Sequence, residues 1–346
     1  MKEKLKKSDY DVNVLDYRNK TVENDTKIIT FWSKKYTAKQ NIKNILSSTL
    51  FAYKNYKRKS EFDKFRKNYL QLTESYYDYQ IREGQIEKPD IYICGSDQVW
   101  NTTITKELDD IYTLNFKTKA KKISYAPSIG NNKLLEEKSD LYFNKLKGID
   151  NISVRESASE DLLKKILKRD VKVVLDPVFL LTAKEWEEYL IDRYKFNKDY
   201  ILAYYLQKNE VYNNLLDEIS KKNNLKIVNF ERRKKGNNIL FNCYTAGPLD
   251  FVSLIKNSRT VVTSSFHAVV FSIIFHKDFF VVPHSETGSR VVSLLQQLDL
   301  TDRIITNNEQ LKNIDYSKKI DWKNVDKKLD VLRQDSFNWL VKAIEG

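Results

Sequence analysis

The segment Thr263-Ser264-Ser265-Phe266-His267 interrupts one apolar run, Thr260 to Val262, and leads into another, Ala268 to Phe275. Three hydroxyls gathered where a strand gives way to a helix, beside the helix's own unpaired N–H groups, suit a phosphate or a carboxylate. His267 falls in the first turn, where an imidazole beside an anion donates a hydrogen bond or exchanges a proton near neutral pH. A structural reading stays open: Ser264 or Ser265 caps the helix and His267 satisfies a backbone group.

Other strand ends are polar in the same sense. Cys94 is followed by Gly95, Ser96, Asp97, Gln98, Trp100 and Asn101, Ala126 by Pro127, Ser128 and Gly130, and Val154 by Arg155 and Glu156. Arg155 is placed to clamp a carboxylate with two parallel hydrogen bonds, or to pair with Glu156 at a helix start. Arg290, in ETGSRVVSLL, opens a further helix, either as a surface residue or as a second candidate anion holder. Asp97, Gln98, Asn101 and Ser128 place carboxylate, amide and hydroxyl groups at these strand ends, as a turn or as a site. Trp100 is either a stacking platform or core. His276 and His284 read as structural, His276 because it sits at a helix end where the dipole favours it.

These residues need elements that bring them together. From Pro89 onward the chain alternates strands (Ile91 to Cys94, Lys122 to Ala126, Asn151 to Val154, Val171 to Leu175) with helical stretches (Lys133 to Leu146, Ala158 to Leu167). That rhythm predicts α/β architecture with parallel sheets, whose ligands bind beyond the carboxyl ends of the strands. A second set follows at 201–206, 225–230, 260–265, 279–283 and 303–306, with a capped helix after Thr182 between the sets. The division expected is an N-terminal α/β unit over 1–180 with a helical insertion at about 39–72, a C-terminal α/β unit over 181–324, and a terminal helix over 325–346 docking across both.

Composition narrows the classes. With 346 residues, 41% hydrophobic and 31% charged, the chain is long enough for two cores and is not of disordered type. Cys94 and Cys243 stand far apart, which predicts two buried thiols rather than a disulfide framework or a zinc site. A net charge of +13 favours anionic partners. No aromatic RNA-binding motif, zinc finger or helix-turn-helix signature accompanies it, so nucleic acid is not expected. No uninterrupted apolar stretch spans a bilayer, and the lysine-rich N-terminus lacks a following apolar segment, so the expected location is cytoplasmic. A basic surface would suit peripheral association with an anionic leaflet.

The segments IYICGSDQVWN (91–101), KISYAPSIG (122–130), ISVRESAS (152–159), VVLDPVFLL (173–181), GPLDFVSLIKNSRTVVTSSFHAVVFSIIF (247–275) and TGSRVVSLLQQLDLTDRII (287–305) resemble the polysaccharide pyruvyl transferases, in that family's order. The resemblance implies two Rossmann-like domains facing a cleft, as in GT-B glycosyltransferases. It implies transfer of the pyruvyl group of phosphoenolpyruvate to two hydroxyls of a sugar or lipid-linked glycan, with phosphoenolpyruvate as co-substrate and no metal or other cofactor. It carries over His267 as general acid or phosphate-steadying group and Arg155 as a functional arginine; beside these, Thr263, Ser264, Ser265, Arg155 and Arg290 are expected toward the donor, and Asp97, Gln98, Trp100, Asn101 and Ser128 toward sugar hydroxyls or the organisation of the cleft. Ser265 stands where many members have Arg, and Ala268 where many have Gly. The family also begins with a strand and an Asn-Tyr-Gly-Ala-type loop before the segment matching DVNVLDY, so the N-terminal domain is expected to lack its first strand and helix. Two other readings are a GT-B glycosyltransferase using a nucleotide sugar and a non-catalytic glycan-binding relative.

Overall fold

A computed structural model describes residues 1–19, 28–29, 31–33, 36–105, 107–207, 209–231, 238–284 and 288–346. Among the described residues, eleven strands form three sheets: β1 (Val14–Tyr17), β2 (Leu72–Tyr76), β3 (Ile91–Cys94), β4 (Lys121–Ser124), β5 (Asn151–Val154), β6 (Lys172–Val173), β7 (Tyr200–Tyr204), β8 (Lys226–Asn229), β9 (Ile239–Asn242), β10 (Thr260–Thr263) and β11 (Asp278–Val281). Every pairing among them is parallel. The orders are β1-β2, β3-β4-β5-β6 and β11-β10-β7-β8-β9. The α/β class expected from the alternating rhythm is the class observed.

The five-stranded sheet reverses direction at β7, whose neighbours are β8 on one side and β10 on the other. Crossovers leave β7 and β10 toward opposite flanks and open a crevice at their carboxyl ends. All four residues of β10 are buried, as a central strand covered on both faces requires, and Val261 and Val262 fill it with β-branched bulk. The helix Phe266–Ile274 follows directly, and eight of its nine residues are buried, His267 being the exception.

Two helices knit the halves. In the helix Trp322–Glu345, Val325 and Leu329 enter the core around β7 and β10, while Leu340 enters a core with Leu5, Tyr125 and Val174. Between them Ser336 Oγ accepts the Leu175 N–H at 2.9 Å and Arg333 Nε donates to the Phe179 carbonyl at 2.6 Å. The helix Ala52–Tyr69 reaches the second half through Asn55, which accepts from the Tyr244 hydroxyl at 2.8 Å. It also does so through Glu61, 2.9 Å from Arg193, and Arg193 Nε in turn donates to Asp250 at 3.0 Å.

Several details depart from the expected pattern. The stretch 133–146 is two helices, Asn132–Glu137 and Ser139–Leu146, because Lys138 leaves helical geometry between them. The expected strand at 303–306 is reduced to a single bridge between Val281 and Ile304. β2 and β9 are strands that period alone did not mark, the first lying at the end of the helical insertion. The helix after Thr182 forms with a reciprocal Thr182–Glu185 cap. Cys94 and Cys243 are both buried.

Gly95 ends β3 with φ +133°, and a Cβ there would lie 1.9 Å from the Tyr125 carbonyl oxygen. The exit from β3 therefore depends on the absence of a side chain. Gly95→Ala is expected to lower stability by about 3 kcal/mol through strain and overpacking, read from the midpoint of urea unfolding at unchanged slope.

Candidate active site

Arg155 follows β5 and is only 5% exposed. Its Nη1 donates to Asp176 Oδ2 at 2.7 Å. Asp176 lies three residues past β6 and is fixed by its own turn: Oδ1 accepts the Val178 N–H at 3.0 Å as the cap of the short helix Pro177–Leu180, which Pro177 opens. The Oδ2 atom that receives Arg155 also stands 3.6 Å from His267 Nε2, beyond a hydrogen bond but within ion-pair reach. One carboxylate thus faces a guanidinium from the first sheet and an imidazole from the second.

Around this pair the charges alternate. Arg290, buried on the helix Ser289–Gln297, has Nη1 3.8 Å from Asp97 Oδ1 and Nε 3.9 Å from Glu156 Oε1. Arg155 Nη2 is 3.6 Å from the same Asp97 oxygen. Phe266 lies between the guanidiniums, its ring centroid 4.6 Å from Arg155 Cζ and 5.6 Å from Arg290 Cζ, in the range of cation–π attraction. Buried Glu156 accepts from the Ser128 hydroxyl. Arg155 Nε and Nη2 and Glu156 Oε2 are buried with no hydrogen-bond partner. Unmet donors on a buried guanidinium are costly unless a ligand or water supplies the acceptor. A cavity of about 30 Å³ touching Arg155, Asp176, Phe266 and Arg290 has room for a water and not for a sugar.

Burial and neighbours set the protonation of these groups in opposite directions. Burial opposes ionisation of Asp176, but His267 and Arg155 outweigh it and hold the carboxyl well below its ordinary 3.8. Burial raises Glu156 above 4.5 despite Arg155, Ser128 and Arg290. Arg290 is pushed down to about 10, by burial first and then by Arg155, and remains a cation at neutral pH. Burial works against the charge of Arg155, yet Asp176, Glu156 and Asp97 raise it.

The hydroxyls of Thr263 and Ser264 are engaged in holding the crevice. Thr263 Oγ1 donates to the Tyr204 carbonyl at 2.5 Å and accepts the Ser265 N–H at 2.9 Å. Ser264 Oγ accepts the Leu206 N–H at 2.8 Å. Both bonds tie the end of β10 to the end of β7. Ser265 is the residue before the helix and makes no side-chain cap. His267, with 34% of its side chain exposed, is the outward group of this turn.

The stretch after β3 divides between site and scaffold. Asp97 is 62% exposed at φ +67°, held by its carbonyl accepting the Ser128 N–H at 2.7 Å, and its carboxylate faces Arg155 and Arg290. Gln98 Oε1 accepts from Asn101 Nδ2 at 2.7 Å. Both lie under Gly130, where a Cβ at φ +76° would meet Asn101 Nδ2 at 2.5 Å. Asn101 Oδ1 accepts the Thr103 N–H at 2.9 Å, which makes it a buried helix cap. Trp100 is fully buried with Nε1 donating to the Tyr112 carbonyl at 2.9 Å. Its indole is core and has no face for a sugar. Ser128 is buried against Glu156. His276 stacks on Trp322 at 4.8 Å and meets Asp326 at 2.9 Å, away from the cluster.

Three members of the cluster escaped the reading of the sequence as site residues: Asp176, Glu156 and Phe266. Asp176 carried the same signal as Arg155, a charged residue just past an apolar strand, but its Asp-Pro context marks a turn equally well.

Fold and site together define a parallel α/β protein whose charged cluster draws on strand ends of two sheets. The chain belongs to the polysaccharide pyruvyl transferase family, whose model matches residues 1–286. No curated protein matches the sequence. Solved structures similar to it include a Listeria monocytogenes protein assigned as a UDP-N-acetylglucosamine 2-epimerase, with 13% identity over 82% of this chain and 73% of that one, TM-score 0.43. UDP-GlcNAc 2-epimerase from Neisseria meningitidis gives 15% identity over 82% of both chains, TM-score 0.39. The glycosyltransferase SnogD from Streptomyces nogalater gives 10% identity over 77% of this chain and 73% of that one, TM-score 0.35.

Two stability predictions follow from the carboxylates. Asp176→Asn leaves Arg155 buried without its counter-ion and is expected to cost about 3–5 kcal/mol at pH 7. Because the folded carboxyl is depressed, its contribution is present above its ordinary 3.8 and is lost as pH falls below that, so the variant should show a weaker acid destabilisation than the wild type. Glu156 has the opposite sign: its raised folded value removes stability as pH climbs from 4.5 through that value. Glu156→Gln should abolish this loss, measured as unfolding free energy against pH.

Proposed function

We propose that this chain moves the pyruvyl group of phosphoenolpyruvate onto two hydroxyls of a sugar in a cell-surface polysaccharide or its precursor. The observation that carries the reading, within the family, is the buried Arg155 whose Nε and Nη2 lack hydrogen-bond acceptors, beside a second buried arginine and an outward histidine. A donor with one carboxylate and one phosphate needs two anion holders. Arg155 with Arg290 supplies one, and the start of the helix Phe266–Ile274 supplies the other through its backbone N–H groups.

The reaction balances without an external oxidant or reductant. One sugar hydroxyl adds to C2 of the donor as its methylene carbon gains a proton and becomes a methyl group. The C2–O bond to phosphate breaks, the second hydroxyl closes the ketal on the same carbon, and the two hydroxyl protons are accounted for by the methyl group and the released hydrogen phosphate. His267 acts as the general acid toward the donor or steadies the departing phosphate. Asp176, 3.6 Å from Nε2, orients the imidazole and joins it to the arginine that holds the donor.

Incubation with phosphoenolpyruvate and a glycan bearing paired free hydroxyls is expected to release phosphate and yield a ketal seen by mass spectrometry. His267→Ala should slow release by about 10²–10⁴-fold, and Arg155→Lys should lose the thermal stabilisation that phosphoenolpyruvate gives the wild type. Unaltered release in His267→Ala would remove that residue from the chemistry. Stabilisation by nucleotide sugars and not by phosphoenolpyruvate would instead favour glycosyl transfer.

A further inference from the structure

The two helices of the insertion, Ala38–Leu50 and Ala52–Tyr69, turn an apolar stripe outward. Ile42, Leu46 and Leu50 recur every four residues, which places them on one side of the first helix, and they are 53%, 66% and 70% exposed. Tyr53 at 74% and Trp32 at 61% are likewise exposed. None of these five belongs to a hydrophobic core cluster. An amphipathic helix normally turns its apolar side inward, and a contiguous exposed stripe of large aliphatic and aromatic side chains marks a contact surface.

Charge selects the partner. Residues 38–59 contain the basic side chains Lys39, Lys43, Lys54, Lys57, Arg58 and Lys59 and no acidic residue, and all six basic residues are exposed. The acidic residues that follow are engaged, Glu61 with Arg193 and Lys64 and Asp63 with Lys59. A second copy of the chain would bring two faces of the same positive sign together, which an isologous contact must overcome. An anionic lipid surface offers negative charge to the lysines and an apolar boundary to the stripe, and long lysine stems let the ammonium groups reach headgroups while apolar side chains sink. No helix among the described residues is long and apolar enough to cross a membrane, so the contact is one of lying on the surface.

We propose that this face docks the protein on an anionic bilayer, with the helix Ala38–Leu50 in the plane of the interface and Trp32 and Tyr53 at headgroup depth. The same insertion packs on the second half through Asn55 and Glu61, so docking positions the whole body and not a loose appendage. The proposal is independent of the reaction assigned above.

Flotation with vesicles tests it. The wild type should float at low salt with vesicles of phosphatidylcholine mixed with phosphatidylglycerol, not with phosphatidylcholine alone, and should be released by molar salt. The combined variant Ile42→Ser/Leu46→Ser/Leu50→Ser removes only exposed side chains and should lower vesicle partitioning by roughly tenfold or more. Lys39→Glu/Lys43→Glu should do the same, and both variants should keep the wild-type melting temperature and far-ultraviolet circular dichroism. Wild-type protein that stays unbound, or serine variants that float like the wild type, would overturn the proposal. So would a wild-type dimer in light scattering that the serine variant converts to monomer, because the stripe would then belong to a second copy.

Discussion

One oxygen atom, Asp176 Oδ2, carries the strain of organising this protein. It is wholly buried, yet it accepts from Arg155 at 2.7 Å and stands 3.6 Å from His267. Desolvating such a carboxylate and such a guanidinium costs several kcal/mol each, recovered only when the pair's geometry is held and the remaining atoms find partners. The fold meets that condition on the carboxylate side through the Val178 N–H and Pro177. On the guanidinium side it leaves Nε and Nη2 unmet. A body that invests in burying an arginine and then withholds its acceptors has placed stability at risk for binding.

The second half of the site rests on topology more than on charge. Reversal of strand order at β7 separates the crossovers, and the hydroxyls of Thr263 and Ser264 brace the gap by tying β10 to Tyr204 and Leu206. Their polarity is therefore spent on shape. What is left to a ligand at this turn is the helix's amide groups, the Ser265 hydroxyl and the imidazole, a smaller set than the sequence suggests.

Much of this was legible in the residues. Strand-loop-helix alternation gave parallel α/β packing because buried parallel strands are apolar and bounded by turns; polar residues after strands pointed to Arg155 and His267, and a helix start to Arg290. Asp97 was read as a group for sugar hydroxyls or for organising a cleft, and it lies against two guanidiniums from different elements. That contact depends on where the helix Ser289–Gln297 packs, which no local pattern encodes. Trp100 and Asn101 share their polar or aromatic character with ligand-binding residues, but burial decides their role, and burial of an indole whose N–H finds the Tyr112 carbonyl cannot be seen in spacing. The strand β2 was missed because LTESY is mostly polar and partly exposed, unlike the apolar runs that mark the central strands.

The position of Asp97 has a consequence for how the cleft fills. Its exposed carboxylate is the common neighbour of Arg155 and Arg290 and offsets the repulsion between two cations that share one aromatic ring. On the function proposed above, an incoming anion enters by exchange with that carboxylate, and its affinity is its own attraction to the arginines minus that of a resident competitor.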